Sequence, residues 1–457
     1  MASITFKSFI GLHQSSMEKH RHHSITTPSE CLVPSQLHYR RLTVVAAKSS
    51  PTITGRNLRV AVVGGGPAGG AAAETLAKGG IETFLIERKL DNAKPCGGSI
   101  PLCMVEEFDL PMDIIDRRVT NLKIISPSNV AVTIGKTLKP HEYIGMVRRE
   151  LLDAYLRDRA EASGATIING LFVKMDKPQE KNAPYILHYN TYNGKTAGER
   201  TSIEVDAVIG ADGANSRVAK SIDAGDYEYL IAIQERIKIP DKKMKYYENL
   251  AEMYVGSDIS PDFYGWVYPK SDHVDVGTGT LRHKPDIEKL QLATRLRVGE
   301  KIQGGKIIWV EAHPMPQHPR PRRVVERVAL VGDAAGYVMK GSGEGIYFAA
   351  KSGRMCAEAI VEGSENGRKM VDEGDLRSYL EKWDTIFGPT FKKMDMVDKV
   401  FYRSNMGKEA VVELFRHEYA QKMILESYLY KTVATVNPLE RLKLAVSSIG
   451  SLVRANA

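Results

Sequence analysis

Apolar residues along this 457-residue chain change their period in a regular order. The run from Leu58 to Val63 is apolar, β-branched and stopped by glycines, which predicts a buried strand. Ala68 to Lys78 is built from small residues and closes at Gly79-Gly80, which predicts a helix, and Glu82 to Ile86 is again a strand. Together these make one βαβ unit. Further on, Tyr143 to Val147 reads as a strand. Arg149 to Ala162 reads as an amphipathic helix, with Leu152, Tyr155, Leu156 and Arg159 on one face and Gly164 as its stop. Residues 185–209 alternate apolar and polar positions around Tyr192-Asn193-Gly194, the pattern of a hairpin. Residues 228–310 are strand-rich and predict a separate sheet. Arg327 to Val331 is another buried strand ending at glycine, a helix over roughly Glu344 to Glu362 follows it, and the pattern from about 375 onward is helical.

Residues 1–47 fit none of these periods. They are rich in Ser, Thr, His and Arg, and the first 50 residues carry six Lys or Arg against two acids. They lack an apolar core, and Val44-Val45-Ala46-Ala47 precedes Lys48, so the segment reads as a plastid transit peptide. The formal net charge of the whole chain is +8, much of it from this leader. The remainder is too mildly basic to argue for nucleic acid. Four cysteines without a CxxC pair or zinc spacing point to free thiols and no metal. No run of apolar residues is long enough for a transmembrane helix.

Three glycine motifs carry the candidate chemistry. Gly64-Gly65-Gly66-Pro67-Ala68-Gly69 is a G-x-G-x-x-G turn between the first strand and its helix. Gly64 permits the tight turn, Gly66 lets a pyrophosphate approach the backbone, and Gly69 allows close helix–strand packing. The N–H groups opening the helix face that pyrophosphate. Glu87, at the end of the second strand, can accept hydrogen bonds from both adenosine ribose hydroxyls, which argues for FAD or NAD; the adjacent Arg88 and Lys89 weaken the case against a 2′-phosphate. The second motif is Gly210-Ala211-Asp212-Gly213, after the strand Val205 to Ile209. The third is Gly332-Asp333-Ala334-Ala335-Gly336, whose Asp333 is placed to accept a ribityl hydroxyl. Gly341-Ser342-Gly343-Glu344-Gly345-Ile346 then opens a helix whose N–H groups suit the charge that builds on a reduced flavin ring.

In this order the three motifs resemble the glutathione-reductase-like flavoproteins of para-hydroxybenzoate hydroxylase arrangement. Lys94-Pro95-Cys96-Gly97-Gly98, Pro261-x-x-Tyr264-x-Trp266-x-Tyr268-Pro269 and Gly277-x-Gly279 resemble the geranylgeranyl reductase family within that group. Tyr268 departs mildly from the family's usual Phe, and Arg149-x-x-x-Asp153-x-x-Leu156 is similar to its flavin-contacting arginine helix. The resemblance covers about residues 58–360, and the C-terminal part resembles the plant and cyanobacterial subgroup.

The resemblance implies an α/β fold: a Rossmann-like FAD-binding domain over 58–227 and 311–365, an inserted antiparallel β substrate domain over 228–310, and a helical region over 366–457. It implies FAD held by Gly64, Gly66, Pro67, Ala68, Gly69, Glu87, Arg88, Gly97, Gly98, Arg149, Asp212, Gly213, Gly332, Asp333, Gly343, Gly345 and Ile346. NADPH would reduce the FAD, and isolated alkenes of geranylgeranyl diphosphate or geranylgeranyl-chlorophyllide would be hydrogenated to phytyl for chlorophyll and tocopherol synthesis in the chloroplast. Cys96 is the catalytic candidate, as proton donor or as a small wall of the pocket. Tyr264, Trp266 and Tyr268 fall on one face at strand period and either hold the prenyl chain or pack the core. Arg320, Arg322 and Arg323 read as a solvated basic loop, with a diphosphate as their alternative partner. The apolar helices after 375, Leu439 to Val453 among them, either pack on the body or dock peripherally on a membrane or a thylakoid-anchored light-harvesting-like protein. A flavin monooxygenase, a prenyl-binding carrier without chemistry and a plastid carotenoid cyclase share enough of this pattern to stand as alternatives.

Overall fold

The computed structural model describes residues 51–91, 94–193 and 196–431. The expected leader and the stretch Leu439 to Val453 lie outside the described residues.

The strand Arg59–Val63 is the centre of an eight-stranded sheet. It pairs in parallel with Glu82–Glu87 on one side and Ala207–Gly210 on the other. Thr166–Asp176 extends the parallel set on the Glu82–Glu87 side, and Val328–Leu330 extends it on the other. The three central strands, Arg59–Val63, Ala207–Gly210 and Val328–Leu330, are buried, which is why they read as continuous apolar runs rather than alternating ones. The hairpin of Tyr185–Asn193 and Thr196–Val205 adds antiparallel strands at one edge.

The helix Pro67–Lys78 begins one residue earlier than its small-residue run, because Pro67 occupies the first helical position, where no N–H is needed. It packs against Ile346–Gly363 at very short range. A Cβ on Gly353 would stand 2.0 Å from the Ala68 carbonyl oxygen, so only glycine fits this crossing. The helix Arg149–Ala162 occupies the span its periodicity predicts and buries Leu152 and Leu156 in the same core.

A seven-stranded sheet forms the second layer. Its main body comes from Tyr229–Lys238, Leu250–Gly256, Ser260–Pro269, Val274–Thr280 and Lys306–Pro316. Two further strands come from far earlier in the chain: Asn121–Ile125 pairs in parallel with Leu250–Gly256 and then with Ala131–Ile134. The sheet is therefore fed from two places, not from 228–310 alone. The helix Ile287–Val298 packs on it with Gln291 and Thr294 buried.

After 373 the described chain is helical: Glu373–Ile386, Gly388–Phe401, Asn405–Leu414 and Glu418–Tyr430. These helices pack on the body. Val412 and Leu425 join a core cluster with Ile124, Ile134, Phe263 and Trp266 of the seven-stranded sheet. Lys408 is fully buried between them, its Nζ donating to the Ser260 and Pro261 carbonyls at 3.1 Å each. No helix among the described residues is long and apolar enough to cross a membrane.

Candidate active site

The G-x-G-x-x-G turn is built as its glycines require. Gly64 has φ +106°, and a Cβ there would lie 2.3 Å from the Ala211 carbonyl oxygen; a Cβ on Gly69 would lie 1.7 Å from the Gly64 oxygen. Gly66 differs. A Cβ there would meet only Arg149 Nη2 at 3.6 Å and Asp153 Oδ2 at 3.9 Å, so open space lies in front of the helix N-terminus. Glu87 accepts from Gly65 N at 2.7 Å and from Lys89 N at 2.9 Å, which fixes its carboxylate beside the turn. Arg88 is exposed next to it.

Beyond this turn lies a cavity of about 550 Å³ whose wall includes Pro67, Cys96, Arg149 and Asp333. Gly97, Gly98, Gly343, Gly345 and Ile346 also line it, as do Tyr264, Trp266 and Tyr268. Arg149 is buried and makes a bidentate pair with Asp153 at 2.7 and 2.8 Å. Burial opposes its charge, but Asp153 and the neighbouring Cys96 more than offset that and hold it protonated. Asp333 lines the same cavity, 2.9 Å from Lys94 Nζ. Burial would raise the Asp333 carboxyl, but Lys94, then His313 and Arg149, hold it below the usual range. Burial and then Lys94 push the His313 imidazole down to about 3, so it is neutral at neutral pH. Lys94 belongs to the motif that carries Cys96. His313 shares one face of the strand Lys306–Pro316 with Glu311 and Met315, and that period-two pattern was the signal that could have found it.

Three of the expected positions, Asp212, Gly213 and Gly332, are not brought to this wall. Asp212 turns its carboxylate to its own chain, accepting from Ser216 Oγ at 2.5 Å and from Arg217 N at 2.6 Å. Gly213, at φ +78°, makes the turn that allows this. Gly332 has φ +56° and packs on Ala68 and Ala349 behind the cavity, where it shapes the wall that presents Asp333.

The arginines among prolines do not form a solvated loop. Arg320 is buried and donates to the carbonyls of Ala334, Gly225 and Ala214. Arg323 is held by Asp384 at 2.8 Å and by the Tyr337 hydroxyl at 2.9 Å. Only Arg322 is exposed.

The far end of the cavity is apolar and closed by the C-terminal helices. Leu122, Ile124 and Ile134 line one side, and Leu414, Phe415 and Ile424 the other. Tyr264 donates to the Ser342 carbonyl at 2.6 Å, while burial raises its phenol well above the ordinary value and that of Tyr268 to about 12. Both phenols are thus neutral at neutral pH. Trp266 Nε1 is buried at this wall without a hydrogen-bond partner. Asp398, pushed up to about 6 by burial, also lines the cavity, with Lys340 Nζ 3.9 Å away. Among the described residues no cluster suits a metal ion.

An FAD fits this arrangement. The open space before Gly66 suits a pyrophosphate, Glu87 is fixed beside the turn, and Arg149 and Asp333 line the adjoining cavity. Comparison with known proteins agrees. The FAD binding domain family matches residues 57–100 and 117–361. The chain is 73% identical, over all of its length and 98% of the relative's, to the chloroplastic geranylgeranyl diphosphate reductase of Nicotiana tabacum. It is 61% identical to the geranylgeranyl diphosphate reductase of Synechocystis over 88% of this chain and 99% of that one. Among solved structures, a geranylgeranyl bacteriochlorophyll reductase-like protein of Thermoplasma acidophilum shares the fold, with a TM-score of 0.67 and 21% identity over 87% of this chain and 98% of that one. The chain belongs to the geranylgeranyl diphosphate reductase family of flavoproteins with this FAD binding domain.

Proposed function

We propose that the chain is a chloroplast enzyme that uses NADPH and FAD to hydrogenate isolated double bonds of a geranylgeranyl chain, carried as the diphosphate or on chlorophyllide. One observation carries this reading: a single cavity joins the proposed FAD cradle to a chamber lined mainly by apolar and aromatic side chains, with Glu344, Lys393, Asp398 and Lys431 as charged groups among them. Bound FAD supplies the hydride. The chain's own residues orient the substrate and manage the proton.

An isolated alkene accepts hydride poorly, so a proton must arrive as hydride does. Cys96 lies in the wall between the cradle and the aromatic face and is the candidate donor. Tyr264, Trp266 and Tyr268 offer apolar ring surface to a prenyl chain, and the C-terminal helices exclude water from its tail. Gly64, Gly66, Pro67, Ala68, Gly69, Glu87, Arg149, Asp333, Gly345 and Ile346 are the proposed FAD contacts. Asp212 and Gly213 support the cradle from behind. The chloroplast assignment is supported by the leader and by the names of the plant relatives.

The test is a purified chain lacking residues 1–47, reduced by NADPH without oxygen and then given geranylgeranyl diphosphate. A flavin spectrum that bleaches and recovers on adding the prenyl substrate, with a saturated product, is the expected result. Recovery only on admitting oxygen would assign a monooxygenase instead. Failure to take up FAD would leave a prenyl carrier.

A further inference from the structure

The Cys96-Gly97-Gly98 segment has no helix or long strand to hold it, yet each of its three carbonyls is bound. The Cys96 carbonyl accepts from Gln234 Nε2 at 3.4 Å, and the Gly98 carbonyl from Val147 N at 2.8 Å. The Gly97 carbonyl accepts from the ammonium of Lys270 at 2.7 Å. Lys270 follows the aromatic strand and is only 1% exposed. Burying a lysine is costly unless its charge is paired and its donors are used. Asp275, at 3.3 Å, pairs the charge. The reach to Gly97 is a separate commitment, and it crosses to another part of the chain.

The Gly97 carbonyl and the Gly98 N–H belong to one trans peptide and point in opposite directions. Lys270 holds the carbonyl, and the N–H donates to Cys96 Sγ at 3.4 Å. Arg149 approaches the same side chain. With glycine on both sides, this peptide has little intrinsic preference for its orientation. Neither glycine can be replaced by a stiffer residue: a Cβ on Gly97 would stand 2.6 Å from the Tyr268 ring, and Gly98 has φ +64° with the Val147 oxygen 2.0 Å from its Cβ position. Orientation must therefore come from outside the segment. The corner that carries Lys270 is itself fixed, since Arg117 donates to the Lys270 and Ser271 carbonyls at 2.9 and 2.8 Å.

We propose that Lys270 is the positioning residue for Cys96: by holding the Gly97 carbonyl it aims the Gly98 N–H at the sulfur and fixes where the thiol stands in the cavity. Its importance for turnover rests on the reductase reading; its effect on the thiol does not. The test uses the FAD-loaded chain and three measurements: alkylation of Cys96 by iodoacetamide at one fixed pH, read by peptide mapping; hydrogen exchange of the peptide containing Gly98; and kcat and KM with geranylgeranyl diphosphate. Lys270→Met is expected to change the Cys96 alkylation rate about tenfold, equivalent to about 1.4 kcal/mol. It should also speed exchange at Gly98 and lower kcat more than it raises KM. Lys270→Arg, which keeps a cationic donor, should recover most of each. Should Lys270→Met not fold, Lys270→Met with Asp275→Asn removes both charges of the buried pair and is measured instead. A folded variant with unchanged alkylation and exchange overturns the proposal. A wild-type chain that reduces no prenyl alkene overturns the reductase reading, while the alkylation and exchange measurements still decide Lys270.

Discussion

Replacing Gly353 by alanine probes the link between helix packing and cofactor binding. The added Cβ would stand 2.0 Å from the Ala68 carbonyl oxygen and 2.9 Å from its carbon. Ordinary contacts between such atoms need about 3.5 Å. The helices must therefore separate by more than an ångström, or the first turn of Pro67–Lys78 must tilt. Overpacking of this kind costs about 1–3 kcal/mol. The displaced turn is the one whose N–H groups are proposed to meet the pyrophosphate, so much of that cost should fall on FAD binding. At about 1.4 kcal/mol per factor of ten, the FAD dissociation constant should rise roughly 10- to 100-fold. Titration of the apoprotein with FAD, followed by quenching of flavin fluorescence, measures it. Gly388→Ala is the control, since its Cβ would meet Asp384 Cβ at an ordinary 3.9 Å. If Gly353→Ala binds FAD within about twofold of the parent, the packing does not transmit strain to the cradle and the reasoning is refuted.

Three further outcomes are expected. Cys96→Ala should retain FAD but lose most turnover; full turnover would remove the thiol from the chemistry and leave it a wall of the pocket. Leu414→Trp, which fills the apolar end of the cavity, should raise KM for a C20 prenyl substrate about tenfold or more while FAD affinity stays constant; an unchanged KM would mean that the tail does not reach the C-terminal helices. Burial pushes the Lys408 amine down to about 8, so between pH 8 and about 10.4 the unfolded chain binds more protons than the folded one. The penalty is fully present below 8 and relieved as pH rises through that window. It amounts to at most about 3 kcal/mol. Thermal unfolding should therefore show the parent gaining on Lys408→Met between pH 7.5 and 9.5; parallel curves would show that Lys408 is not strained by burial.

The elements with strong periodicity were legible from the chain alone. The βαβ unit, the helix Arg149–Ala162, the hairpin over 185–205 and the buried strand before Gly332 all depend on local patterns of size, branching and glycine. The turn glycines were legible for the same reason, since a positive φ or a close backbone approach leaves glycine as the only fit. Asp212 was not. An Asp-Gly after a buried strand looks the same whether its carboxylate faces a ligand or caps the next turn, and only the rotamer toward Ser216 decides between them.

What the sequence by itself determined is therefore the nucleotide fold, the order of its glycine turns and the family those motifs mark. Tertiary structure alone decided what surrounds them. The strands at 121–134 joined a sheet whose other members begin only at Tyr229, because parallel pairing is set by the crossover path and not by local pattern. Arg320 and Arg323 turned inward because carbonyls and Asp384, remote in sequence, were there to take their donors. The C-terminal helices closed the cavity because their apolar faces met the exposed side of that same sheet. Lys270 meets Gly97 because the turn after Ser260–Pro269 packs against the Cys96-Gly97-Gly98 segment, a contact remote in sequence.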